Sequence, residues 1–127
     1  TVIRGVAAWL DRQAAETLYL TAISLSELLT GIEMLPGGKR KEGLDVLLTD
    51  LMARLFAERI LSFDQKAAVA HARLASRAWA HGRMFSFADG QIAAIAHVHA
   101  FTVATRETEP FVAAGVPVIN PWEADQS

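Results

Sequence analysis

Residues 17–35, TLYLTAISLSELLTGIEML, pass from a β-rich run of strand length into a helical pattern, and that passage decides the fold class. In "TLYLTAI" (17–23) the apolar residues follow one another almost continuously. A strand buried on both faces reads this way, whereas a half-exposed strand alternates. From Ser24 onward Leu25, Leu28, Leu29 and Ile32 recur on one helical face, and Pro36, Gly37 and Gly38 stop the pattern. The same change of period repeats along the chain. "RILSF" (59–63) is strand-like and precedes a helix that Asp64 caps and Gly82 ends. "FTVAT" (101–105) and "VPVIN" (116–120) are short strands around a short helix near residues 109–113. Further helices are expected over 39–57, where Leu44, Leu47, Leu48, Leu51 and Leu55 recur at three- and four-residue steps, and over 86–99, SFADGQIAAIAHVH. "GVAAWLDRQ" (5–13) reads as a short helix with Val6, Trp9 and Leu10 at apolar spacing. Continuously apolar strands alternating with helices predict an α/β, three-layer sandwich, a short parallel sheet flanked by helices. With 127 residues, no internal repeat and no low-complexity linker, a single domain over 1–127 is expected.

Composition narrows the function. At 52% hydrophobic and 20% charged residues the chain is too apolar for disorder, and its apolar runs are cut well before the length of a membrane span. No basic-then-apolar leader opens it. The absence of cysteine removes disulfides, thiolate nucleophiles and Cys-ligated zinc, and favours a reducing, cytoplasmic home. A net charge of −2 gives no global attraction for nucleic acid. A protein of this charge that handles RNA or DNA needs a local basic patch or metal ions against the phosphates.

In an open parallel sheet, ligands collect beyond the carboxyl ends of the strands, near helix N-termini. Glu27 follows "TLYLTAI", Glu107 follows "FTVAT", and Asp89 opens a helix. Ser24-x-x-Glu27 and Ser86-x-x-Asp89 both match a capping box, which needs no function. The two roles are compatible, because a carboxylate in the first helical turn sits in a positive field that keeps it ionised and suits a hard cation. Mg²⁺ and Mn²⁺ take oxygen ligands and keep several waters, so a few carboxylates around an open position suffice. Such a site activates water and steadies the charge of a phosphodiester during displacement.

Other candidates are weaker. His97 and His99 are about 200° apart on a helix and cannot face one metal, and His71 and His81 read as ordinary surface or half-buried histidines. "PGGKRK" (36–41) follows a helix rather than a strand and has Arg40 where a phosphate loop needs serine or threonine. Lys39, Arg40 and Lys41 read as a solvated helix start, with phosphate contact by Lys39, Arg40 and Arg106 as the functional alternative. Trp9, Trp79 and Trp122 are expected to pack in the core or at its edge.

Four stretches, YLTAISLSELLTGIEMLPGGKRK, RILSFDQKAAVAHARL, SFADGQIAAIAHVHAFTVATRETEPF and GVPVINPW, together resemble the PIN-domain toxins of bacterial toxin–antitoxin pairs. The nearest group is VapC, including its FitB-like branch, and the resemblance runs from about Val6 to Trp122. It implies a Mg²⁺- or Mn²⁺-dependent ribonuclease, a homodimer, kept silent by a small DNA-binding antitoxin that buries the active site. Glu27 then stands at the family's helix-borne glutamate and Asp89 at its central aspartate. Glu107 occupies a position where the FitB-like branch has aspartate and many relatives have asparagine. Pro110 replaces an aspartate of those relatives, and Thr105 matches a supporting hydroxyl near the site.

The sequence departs from the family at its start. The family begins with an apolar strand ending in Asp-Thr-Asn, whose aspartate is a principal metal ligand, and "TVIRGVAAWL" corresponds to the segment just after that strand. Three readings stay open: a fragment of a longer reading frame, a gap filled by another chain or a shifted segment, and a degenerate, non-cleaving descendant. The expectation is a ribonuclease of reduced metal affinity and turnover, with a non-catalytic, antitoxin-binding module as the alternative. A receiver-like phosphorylation domain is set aside, because no acidic pair follows the first strand and no lysine follows a late one.

Overall fold

The computed structural model describes Arg12 and residues 15–124, and for Ala15, Trp122 and Ala124 the backbone only. The helix expected over 5–13, with Val6, Trp9 and Leu10, and the packing of Trp122 fall outside what is described. A 3₁₀ turn at Ala15–Thr17 leads into β1 (Leu20–Thr21), α1 (Ala22–Glu33) and α2 (Lys39–Leu51). A π-helical turn (Met52–Phe56), β2 (Ile60–Leu61), α3 (Gln65–Ala80) and α4 (Phe87–His99) follow. The chain closes with β3 (Val103–Ala104), α5 (Glu109–Ala114), β4 (Val118–Ile119) and α6 (Pro121–Ala124). The described residues form two compact units, one within Ala14–Ser62, called the N-terminal unit, and one made of Arg12 and residues within Phe63–Ser127, called the C-terminal unit.

In the N-terminal unit β1 and β2 pair in parallel, Leu20 opposite Ile60 and Thr21 opposite Leu61. Arg59 ties this pair to the preceding turn, its Nε donating to the Leu18 carbonyl at 2.9 Å and its guanidinium also reaching the Leu55 carbonyl. The strand is shorter than "TLYLTAI" suggests. Ala22 and Ile23 already belong to α1, because Thr21, not Ser24, is the N-cap: its hydroxyl oxygen accepts from the Ser24 N–H at 3.0 Å. A threonine in extended conformation directly before a helical run satisfies one of the orphan N–H groups, and it does so three residues ahead of the expected box.

The C-terminal unit is built the same way, with β3 and β4 parallel, Val103 opposite Val118 and Ala104 opposite Ile119. Its core is continuous: Leu74 of α3, Ala93, Ala94 and Ala96 of α4, Val103 of β3, Phe111 and Ala114 of α5, and Val116. Alanines at the helix contacts let α3, α4 and α5 approach closely, and Phe111 fills the space between them. The ends match the sequence signals. Asp64 caps α3 by accepting from the Ala67 N–H at 2.9 Å, and Ser86 caps α4 by accepting from the Asp89 N–H at 3.1 Å. Gly82 and Gly115 follow α3 and α5 at φ of 70° and 78°, left-handed positions that side chains resist.

Candidate active site

Asp89 is the third residue of α4, its position set by the Ser86 cap and by the Gly90 N–H donating to the Ser86 carbonyl at 2.9 Å. It is half-buried, in the first helical turn, where the unpaired N–H groups favour an anion. Among the described residues no hydrogen bond or ion pair engages its carboxylate. The next residue explains how α4 is held here. A Cβ on Gly90 would lie 2.7 Å from Phe85 Cε2 and 2.8 Å from His71 Nε2, so only glycine permits α3 and the 82–86 loop to press this close. The His71 ring is held edge-on by Phe63 at 6.0 Å and Phe87 at 4.9 Å. Glycine costs helix stability, and Gly90 in the opening turn of a helix is the sequence signal for this approach.

Glu107 lies in the same unit, three residues beyond β3. Thr105 organises that segment: its N–H donates to the Ile119 carbonyl at 3.0 Å, and its hydroxyl accepts from the Glu107 N–H at 3.3 Å. Thr105 therefore supports Glu107 through the backbone, while the Glu107 side chain is exposed. Arg106 beside it is exposed as well.

Glu27 belongs to the N-terminal unit. The Thr21 cap moves it out of the first turn, into the second turn of α1, so the capping-box reading and the dipole argument both fail for it. It is exposed. Lys39 and Arg40 open α2 and are exposed, whereas Lys41 closes the end of α1, its Nζ donating to the Glu33 carbonyl at 3.2 Å. Of the tryptophans, Trp79 is 73% exposed and so is not a core residue. The histidines behave as expected: His71 is packed among phenylalanines, His81 bonds the Arg77 carbonyl through Nδ1, and His99 stacks on Phe101.

Carboxylate oxygens suit a hard divalent cation, and Asp89 meets that requirement in its position and in having no competing partner among the described residues. Among the described residues, however, no group of three or more His, Asp or Glu side chains gathers to hold a metal. The described groups thus supply a donor of the right chemistry without a closed shell.

A family model described as PIN domain matches residues 4–116. The chain belongs to the PIN-domain family. This PIN domain is 46% identical over 120 residues to the VapC ribonuclease Y4jK of Sinorhizobium fredii, spanning 94% of this chain and 86% of that protein. To toxin FitB of Neisseria gonorrhoeae it is 47% identical over 117 residues, 92% of this chain and 84% of that protein. The solved structure of FitAB bound to an IR36 DNA fragment matches with a TM-score of 0.86 at 45% identity, over 93% of this chain and 82% of that one. The resemblance to the VapC group and its FitB-like branch therefore holds, and with it the α/β sandwich of the PIN fold. No helix among the described residues is long and apolar enough to cross a membrane.

Proposed function

We propose that this PIN domain is the toxin of a toxin–antitoxin pair, a metal-dependent endoribonuclease in the cytoplasm with Asp89 as its central acid. One observation carries the proposal: a half-buried carboxylate with no partner among the described residues, at a capped helix N-terminus, in a chain 46% identical to a VapC ribonuclease. Glu107 and Glu27 are the further acids proposed to hold Mg²⁺ or Mn²⁺. When bound, such an ion neutralises phosphate charge and activates water. The chain's own residues do the rest. The Ser86 cap and the Gly90 contact fix the backbone of Asp89, Thr105 fixes that of Glu107, and Lys39, Arg40 and Arg106 are proposed to bind phosphates. A small antitoxin is the proposed partner, in line with a solved neighbour described as a member of the VapBC family of toxin-antitoxin systems, and a homodimer is the proposed assembly.

The test is RNA cleavage against added Mn²⁺ for the parent chain, Asp89→Asn, Glu107→Gln and Glu27→Gln. Loss of one anionic ligand should lower the rate a hundredfold or more, equivalent to about 3 kcal/mol of transition-state stabilisation. Full, metal-dependent cleavage by Asp89→Asn would refute the assignment. The second reading is a module that binds its antitoxin without cutting, motivated by Glu107 standing where the FitB-like branch has aspartate and by the lack of a match to the family's Asp-Thr-Asn segment in the sequence given. That reading wins if neither EDTA nor Mn²⁺ changes RNA integrity while a purified antitoxin still binds tightly.

A further inference from the structure

Residues 65–88 contain no aspartate or glutamate, yet carry Lys66, Arg73, Arg77 and Arg83. The chain is −2 overall and this stretch is +4, which leaves −6 on the remainder. Positive potential is therefore concentrated on α3 and the turn after it. At 100° per residue, Lys66, Arg73 and Arg77 fall within about 40° of one another, in a line about 16 Å long. They stand to one side of the buried face formed by Ala67, Leu74 and Ala78, and all three are exposed.

Among the described residues none of the three charged side-chain groups has an ion-pair or hydrogen-bond partner. The nearby Asp64 carboxylate is spent on capping, accepting from the Ala67 N–H. The first turn of α3 has no acid and instead carries Lys66, against the helix dipole. A helix that breaks its own charge rules without a compensating contact marks a surface kept for something else.

We infer that this flank of α3 is a phosphate-binding track for single-stranded RNA, with Lys66, Arg73 and Arg77 each contacting the backbone. The inference rests on the ribonuclease reading for its choice of RNA. Arginine forks fit phosphate oxygens in pairs, and a straight row of cations reads the spacing of a backbone rather than its sequence.

The experiment measures binding of a fluorescein-labelled single-stranded RNA of mixed sequence across a salt series, in an Asp89→Asn background so that cleavage does not intervene. Each phosphate contact contributes about −0.7 to the slope of log affinity against log salt. The triple variant Lys66→Ala/Arg73→Ala/Arg77→Ala should flatten that slope by about 2 and weaken low-salt binding about tenfold or more. The charge-keeping variant Lys66→Arg/Arg73→Lys/Arg77→Lys should retain the slope, which separates charge from packing. An unchanged slope in the triple-alanine variant overturns the inference, as does binding of duplex DNA but not RNA through these residues. Cleavage by the parent chain with an unchanged slope sinks the track and spares the ribonuclease reading. RNA held by this helix but never cut does the reverse.

Discussion

The two units contain helices of similar apolar content but bury them differently. The C-terminal unit seals Leu74, Ala94, Ile95 and Phe111 to within a few per cent of full burial, whereas the N-terminal unit buries only Ile32 and Leu55 among its described residues. Leu28 and Leu29 of α1 remain 48% and 44% exposed, and Val46 and Leu47 of α2 remain 70% and 52% exposed. The reason lies in side-chain size. Alanines and Gly90 let α3, α4 and α5 close on one another, whereas α1 and α2, with larger leucines on their faces, pack against each other only sparsely. Leucine periodicity therefore announces a helix in both units, but close packing comes from the small residues between.

That contrast can be broken by substitution, most severely in the sealed core. Phe111→Ala should destabilise the chain by about 3–5 kcal/mol, read as a lower midpoint in urea, since nothing nearby can collapse into the space. A value under 1 kcal/mol would mean that the C-terminal core is no tighter than the N-terminal one. Gly90→Ala comes next, with a net loss of about 1–2 kcal/mol: the clash with Phe85 and His71 outweighs a helix-propensity gain of about 1 kcal/mol. His71→Ala in the same chain should recover part of that loss, and thermal melts of the single and double variants would show it.

Caps give smaller effects and locate the ends of both units. Asp64→Ala should cost about 1 kcal/mol, and so should Thr21→Ala, through loss of the side-chain acceptor for Ala67 and Ser24. Ser24→Ala should cost less than Thr21→Ala, and the opposite order in chemical denaturation would restore the cap expected at Ser24. At the low end, Leu47→Gln on the exposed face of α2 should stay within about 0.5 kcal/mol. A large loss there, or a change in sedimentation, would show that a partner or second copy covers α2.

Among the candidate site residues, legibility follows the range of the interaction. Asp89 is readable because its cap, Ser86, lies three residues away and a serine before an apolar helix is a local signal. Glu27 falls on α1 as expected but not in its first turn, because both Thr21 and Ser24 can cap and only the backbone conformation chooses between them. The support of Glu107 by Thr105 is two residues long, yet it depends on β3 pairing with β4 to hold Thr105 in place. The contact of Gly90 with His71 joins two helices, so sequence offers only an unexplained glycine. The chemistry of Trp79 suggests packing in the core or at its edge, and its actual exposure depends on which face of α3 meets α4.

By itself, the sequence determined roughly where most of the described helices and strands fall, the caps at Asp64 and Ser86, the concentration of cations between residues 65 and 88, and the likeness to PIN toxins. Those features come from neighbours within a turn or two, or from composition, and they need no knowledge of distant contacts. Tertiary structure alone decided that Thr21 begins α1, that Gly90 is a point of close approach, and which apolar faces are sealed. The first is settled by the backbone conformation that Thr21 adopts at the end of β1, and the other two by groups far apart in the chain and the room that packing leaves.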